Sequence, residues 1–271
     1  MINLKSALGI TMASIAAVQA AAQKTESFKP VTPNIVLILM DDMGYGDIGR
    51  TGANQYTTPN LDRLANQGMQ FTRYYCPQAV SSASRAGLCE GKGTSWEGGQ
   101  RVPCIMRWPD IIPAGVICNQ LASSLDILPT LTEITGGKLP SNKIDGISIL
   151  PLMLGDKDAS PRHEFYYYYE TNSLEAVQRD FWKLVLPHKG RTYRNMKPGS
   201  DGWPGPTGTE IIKEPQLYDL RRDPGEWYDV ALYYPEKVKE LQVLAEEARI
   251  DIGDDLTNSP GENRRKAGSV K

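Results

Sequence analysis

The sequence predicts an α/β fold: a mostly parallel central sheet, then a smaller C-terminal antiparallel sheet with a helix. Three observations predict it. Asn34-Ile35-Val36-Leu37-Ile38-Leu39-Met40 is a continuous apolar run of strand length, the pattern of a parallel strand covered on both faces. A helix with clear start and stop signals follows it and leads into a second strand pattern. From His163 onward the pattern changes to short strand-like runs, closed by an amphipathic stretch over residues 235–249.

The 271 residues suffice for one large domain or two smaller ones, and 40% hydrophobic residues is ordinary for a globular protein. A net charge of −2 argues against a general nucleic-acid binder, so an anionic ligand would have to be met by local cations. The cysteines at 76, 89, 104 and 118 show no metal-ligand spacing. Residues 1–22 read as a signal peptide. Lys5 supplies the charge, residues 8–18 are apolar, and Val18-Gln19-Ala20 or Ala20-Ala21-Ala22 offers a small-residue cleavage site. No other stretch reaches transmembrane length. The expectation is an exported protein, periplasmic or secreted, with no stable membrane span and a mature N-terminus near Ala21 or Gln23.

Residues 23–32 are a polar leader. The apolar strand then ends in Asp41-Asp42, followed by Gly44-Tyr45-Gly46. Open α/β sheets build their sites at the carboxyl ends of strands, and two adjacent aspartates leaving one strand can both reach a hard cation. A solvated acidic turn is the plain alternative. Thr58-Pro59 starts a helix and Gly68 stops it, with Leu61, Leu64 and Ala65 as the buried stripe and Thr58 as the cap. Met69 to Tyr75 alternates as a second strand and delivers the chain to Ser81-Ser82-Ala83-Ser84-Arg85. A serine in such a turn can sit at a helix N-terminus, where an anion is favoured, with Arg85 one turn on. An ordinary serine-rich cap is the plain alternative. Lys92 lies in a glycine-rich stretch, Gly91-Lys92-Gly93-Thr94-Ser95-Trp96-Glu97-Gly98-Gly99, where backbone can approach an anion closely and the lysine supplies a point charge. Its spacing is not that of a P-loop.

Taken together, Pro33 to Gly44, Thr58-Pro59-Asn60-Leu61-Asp62-Arg63-Leu64-Ala65, Ser81 to Arg85, Gly91-Lys92-Gly93-Thr94 and Trp96-Glu97-Gly98-Gly99 resemble the type I sulfatases of the alkaline phosphatase superfamily. Arg101-Val102-Pro103, Trp108-Pro109, Leu125-Asp126-Ile127-Leu128-Pro129-Thr130, Leu217-Tyr218-Asp219-Leu220 and Asp223-Pro224-Gly225-Glu226 extend the resemblance almost to the end. It implies an alkaline-phosphatase-like sandwich and hydrolysis of aryl or carbohydrate sulfate esters. Ser81 takes the nucleophile place, Arg85 the arginine place, and Ala83 stands where many members have proline. A serine there is similar to the serine-type subgroup, in which a maturase converts the residue to formylglycine. The resemblance implies that the hydrate of that aldehyde attacks sulfur. It also implies that Asp41, Asp42 and the modified Ser81 hold a calcium or magnesium ion, that Arg85 fixes the aldehyde hydrate, and that Lys92 binds sulfate oxygens. The implied partners are the maturase and a sulfated small molecule or sulfated glycan.

The family normally carries a long block between the serine turn and Gly91-Lys92-Gly93-Thr94, with a lysine–histidine pair, a second histidine and an Asp-Asn pair. Here only Ala86-Gly87-Leu88-Cys89-Glu90 intervenes, no Asp-Asn dipeptide follows Asp42, and the two histidines are His163 and His188. Both read as ordinary surface or loop residues. The expected organisation is therefore residues 28–162 as an N-terminal sulfatase domain, internally truncated near 88–91, and residues 163–271 as a C-terminal subdomain. Within the latter, residues 164–170, 174–179 and 181–186 read as antiparallel strands, and residues 189–208 as a solvated loop. Lys189, Arg191, Arg194 and Lys197 make that loop a candidate for recognising an anionic sugar chain. Residues 123–134 read as a helix with a Leu125, Leu128, Leu131 core stripe, residues 102–108 as a strand, and the tail after Gly253 as loosely held. Two rivals to the sulfatase reading remain: a phosphoryl-transfer hydrolase of the same superfamily with unmodified Ser81, and a non-catalytic relic. A chain without the central block is expected to expose residues 35–40, to fold poorly and to turn over little or no sulfate ester.

Overall fold

The structure, a computed structural model, describes residues 29, 31–40, 43–54, 56–77, 93–197 and 205–264. Residues 34–40 form no strand, and they are exposed throughout, with Leu39 at 87%. The expected parallel strand is thus corrected, while the expected exposure is found. An apolar run needs neighbours on both edges and both faces to become a central strand, and no described strand pairs with it.

The next helix, α1 (Pro59–Asn66), starts on its proline, but Thr58 does not cap it. The Thr58 hydroxyl accepts the Gly49 amide instead (2.8 Å), tying the helix start to the turn that follows the Asp41-Asp42 segment. Only Ala65 of the predicted stripe is fully buried; Leu61 and Leu64 are half-buried. Strands β1 (Met69–Phe71) and β2 (Tyr74–Tyr75) follow, and then the short helix α2 (Glu97–Gln100). β3 (Cys104–Met106) lies antiparallel to β1, and β4 (Val116–Cys118) parallel to it. β5 (Ala122–Ser123) runs parallel to β2.

A 3-10 turn over Ser124–Asp126 opens α3 (Ile127–Thr135) through a reciprocal cap, in which Ser123 and Asp126 exchange backbone bonds. The predicted stripe is displaced. Pro129, Thr130 and Ile134 are buried, Leu125 and Leu131 are half-buried, and Leu128 is exposed. The cause is Asp126. It is fully buried and gripped by Arg162 (Nε–Oδ2 3.1 Å, Nη2–Oδ1 2.5 Å), which fixes the rotation of the helix start. The short α4 (Leu150–Met153) closes this core with Met69, Phe71 and Ile134.

β6 (Glu164–Tyr169), β7 (Ser173–Arg179) and β8 (Trp182–Val185) are the three expected antiparallel strands, and β11 (Gln216–Asp219), which the sequence did not announce, joins them in the order β11-β8-β7-β6. β9 (His188–Thr192) and β10 (Gly208–Ile212) pair as a separate antiparallel ladder, so the stretch read as a solvated loop is bounded by strands. One face of the four-stranded sheet is covered by α5 (Pro235–Asp251), which buries Leu241, Leu244, Ala245 and Ala248 against Leu174, Val177, Leu184 and Leu217. After α5 the chain does not drift away. Asp254 is buried, accepts the Leu174 amide (3.1 Å) and pairs with Arg249 (3.0 Å).

Candidate active site

Asp41, Asp42, Ser81, Arg85 and Lys92, the residues assigned to chemistry and metal binding, all lie outside the described residues. Their flanks are described, and these converge. The Arg101 guanidinium, beyond the Lys92 stretch, lies over the Tyr45 ring (4.0 Å), beyond the aspartates. The Cys76 amide, before the serine turn, donates to the Gln100 carbonyl (2.9 Å), and the Val102 amide donates to the Tyr74 carbonyl (2.9 Å). Segments far apart in sequence therefore run side by side here.

The glycine-rich stretch is held by a buried charged network. Glu97, at the start of α2, accepts the Tyr75 hydroxyl on one oxygen (2.8 Å) and the Tyr167 hydroxyl on the other (3.1 Å). Lys183, fully buried on β8, stands 2.7 Å from a Glu226 oxygen and 3.4 Å from Glu97, and donates to the Ser95 carbonyl (2.7 Å). Its ammonium also lies over the Tyr167 ring (3.9 Å). Glu226 accepts the Glu97 amide (2.7 Å), an orphan donor of a helix first turn. Burial pushes the Glu226 carboxyl up to about 7, with Lys183 pulling the other way. Gly99 permits the turn's closeness, since a Cβ there would meet the Thr94 carbonyl at 2.1 Å.

Sequence reasoning missed Lys183, Glu97 and Glu226 as a unit. The Trp96-Glu97-Gly98-Gly99 and Asp223-Pro224-Gly225-Glu226 motifs were signals for two of them, but no spacing connects β8 to α2. His188 is also corrected. It is buried, with Nδ1 2.7 Å from the Leu186 carbonyl and Nε2 3.4 Å from Glu175. Glu175 in turn accepts the Ser95 hydroxyl (2.6 Å), and burial raises its pKa against the pull of His188. The serine donates to the carboxylate and not to the imidazole, so this is no nucleophile–base pair. His163 is exposed and pairs with Asp180 (2.7 Å), as a surface histidine should.

Of the proposed sugar-recognition cations, Arg191 comes nearest the Lys92 stretch, because a Cβ on Gly93 would meet its guanidinium at 2.9 Å. Lys189 and Lys197 are exposed. Arg194 is half-buried against Trp96 and Glu210, and so serves packing. Among the described residues there is no cluster of three or more His, Cys, Asp or Glu side chains that could hold a cation. No helix among the described residues is long and apolar enough to cross a membrane.

The fold is that of the alkaline-phosphatase class. A crystal structure of the PsFucS1 sulfatase from Pseudoalteromonas sp. superimposes with TM-score 0.52 at 23% identity, covering 76% of this chain and 40% of that one. Three family models match almost end to end: sulfatase over residues 33–93, the C-terminal part of N-sulphoglucosamine sulphohydrolase over 91–186, and the C-terminal region of aryl-sulfatase over 161–266. The chain belongs to the sulfatase family. Arylsulfatase A of Bos taurus is 36% identical over 207 residues, 71% of this chain and 40% of that protein. Steryl-sulfatase of Mus musculus is 36% identical over 145 residues, 50% of this chain and 23% of that protein. The chain thus spans less than half the length of these relatives.

Proposed function

We propose that the protein is a sulfuric ester hydrolase working through position 81. The observation that carries this reading is the convergence of the three motif flanks, Tyr45 on Arg101 and Cys76 on Gln100, within a chain of the sulfatase family. Ser81 would be the modified nucleophile and Arg85 would fix it. Lys92 would meet the sulfate oxygens, and Lys183 and Glu226 hold Ser95 and Glu97, which follow it in the chain. Asp41, Asp42 and position 81 would bind the divalent cation, calcium or magnesium, which supplies charge stabilisation when bound. Arg191 beside Gly93 favours an anionic substrate, a sulfated glycan or small sulfate ester. Export through residues 1–22 and the division at 162/163 belong to the same proposal.

The test is mass spectrometry of the peptide containing Ser81, after co-expression with a serine-type maturase, together with an aryl-sulfate assay in calcium. Formylglycine at 81 with turnover supports the hydrolase. Unmodified Ser81 with phosphate-ester turnover points to the phosphoryl-transfer rival. A second reading, the non-catalytic relic, is favoured by the exposure of residues 35–40, and predicts neither activity.

A further inference from the structure

His188 opens β9, and its ring lies between two acceptors. Nδ1 stands 2.7 Å from the Leu186 carbonyl, and Nε2 stands 3.4 Å from Oε2 of Glu175. Both side chains are buried, 3% and 5% exposed. A Cβ on Gly190 would meet Nε2 at 3.0 Å, so β9 itself closes the ring in. A proton count follows from this geometry. A neutral imidazole carries one N–H, and a carbonyl can only accept, so that N–H belongs to Nδ1. Nε2 is then a bare lone pair facing a carboxylate, and two acceptors do not bond. One further proton resolves the contact. Whether it rides on Nε2 or on the Glu175 carboxyl, it belongs to the pair.

The pair joins three parts of the fold. Glu175 lies within β7, and its backbone carbonyl accepts the Leu186 amide (2.8 Å). His188 starts the β9–β10 ladder, opposite Ile212. Oε2 of Glu175 also accepts the Ser95 hydroxyl (2.6 Å), and Ser95 is buried in the glycine-rich stretch. We infer that His188 and Glu175 share one buried proton and form a pH-sensitive latch. It clamps Ser95 and the β9–β10 ladder onto the four-stranded sheet. With the proton in place the latch is closed. As pH rises the proton passes to solvent, the Nε2 lone pair meets the carboxylate, and the Ser95 anchor loosens. Burial raises the Glu175 carboxyl and so favours keeping the proton, while His188 and the Ser95 hydroxyl pull it down. Glu170, on the β6–β7 turn, adds to the rise, and Lys183, on β8, opposes it. Lys189 and Arg191 flank the ring on β9 and are exposed, with Arg191 and the Tyr169 hydroxyl against Gly93. From β10, Glu210 stands opposite Gly190 and pairs with Arg194 (3.7 Å). The latch stands on this geometry. Its bearing on Lys92 rests on the proposed function.

The test is an NMR titration of the full chain carrying His163→Gln, which leaves His188 as its one imidazole. The His188 ring signals and the Glu175 carboxyl carbon should move together in one step between about pH 5 and pH 8. Glu175→Gln should move the imidazole step to lower pH, because the carboxylate that favours the proton is gone. Hydrogen exchange is the second readout, taken as protection factors in the Glu226→Gln background so that Glu226 does not titrate. Over the same range, protection of residues 93–96 relative to α5 should fall about tenfold more with His188 than with His188→Gln. An imidazole that does not titrate, or whose step ignores Glu175→Gln, overturns the inference. A joint titration with equal loss of protection in both variants keeps the shared proton and overturns the latch. A joint titration with the expected loss of protection, but with unmodified Ser81 and no aryl-sulfate turnover, leaves the latch standing while the proposed hydrolase fails.

Discussion

Lys183 has no exposed surface and stands between two carboxylates, Glu226 at 2.7 Å and Glu97 at 3.4 Å. Removing the cation alone leaves two buried carboxylates without compensation. Lys183→Met is therefore expected to lose about 3–5 kcal/mol of stability, read by chemical denaturation. The double variant Lys183→Met with Glu226→Gln should recover part of that loss, whereas additive losses would argue against direct coupling. Glu226 also sets a pH dependence. A glutamate in the unfolded chain titrates near 4.3, roughly, and in this fold near about 7, so the folded state binds the proton more tightly. Its stabilising contribution is complete below the unfolded value and is lost as pH rises through the folded one. The wild type should lose more stability than Glu226→Gln between about pH 4.5 and pH 7; equal losses would place the titrating group elsewhere.

The amphipathic pattern of residues 235–249 was enough to predict α5, because a single face meets the sheet and the pattern is local. Leu241 and Leu244 are fully buried on that face, and Leu244→Ala should cost about 2–5 kcal/mol, read as a lowered denaturation midpoint. α2 is the opposite case. It is one turn of backbone with two glycines, and no periodicity announces it. It forms because Gly99 lets the chain close on Thr94 and because Glu226 accepts the Glu97 amide. Gly99→Ala, a change of one methyl group, is expected to destabilise the fold by about 1–3 kcal/mol. Hydrogen exchange should then quicken across residues 93–100 more than across α5; uniform quickening would show that the turn is not a separate unit.

At the scale of the molecule the exposed run at residues 35–40 dominates. Val36, Leu37, Ile38 and Leu39 are 84%, 64%, 72% and 87% exposed, in an uncharged β-prone segment without proline or glycine. Such a segment promotes association between chains. The protein should self-associate with rising concentration, and Ile38→Lys with Leu39→Lys should reduce this in light scattering without lowering the melting temperature. Restoring the family's central block should instead cover the run. With maturase and calcium present, the restored protein is expected to exceed the present chain in aryl-sulfate turnover by about 10²-fold or more, since it regains the proton-transfer histidines implied by the resemblance. Equal turnover by the two would mean that the present chain completes its site from other residues, and His188 beside Glu175 would then be the first to examine.

Local patterns determined a great deal here. β6, β7 and β8, α1 and α5, the change of texture near His163 and the family motifs are all legible in residue order, because helix and strand periodicity and turn chemistry act over a few neighbours. Only the tertiary structure decided what depends on distant partners. Residues 34–40 carry the sequence of a central strand but pair with no strand among the described residues. Leu128 belongs to a plausible stripe but turns outward, because Arg162 fixes Asp126. Lys183 alternates among apolar residues of β8, and only the fold brings Glu97 and Glu226 to it. Periodicity records which face of an element is apolar. It carries no record of which distant charge will be buried against that face, because that pairing arises only when the chain closes.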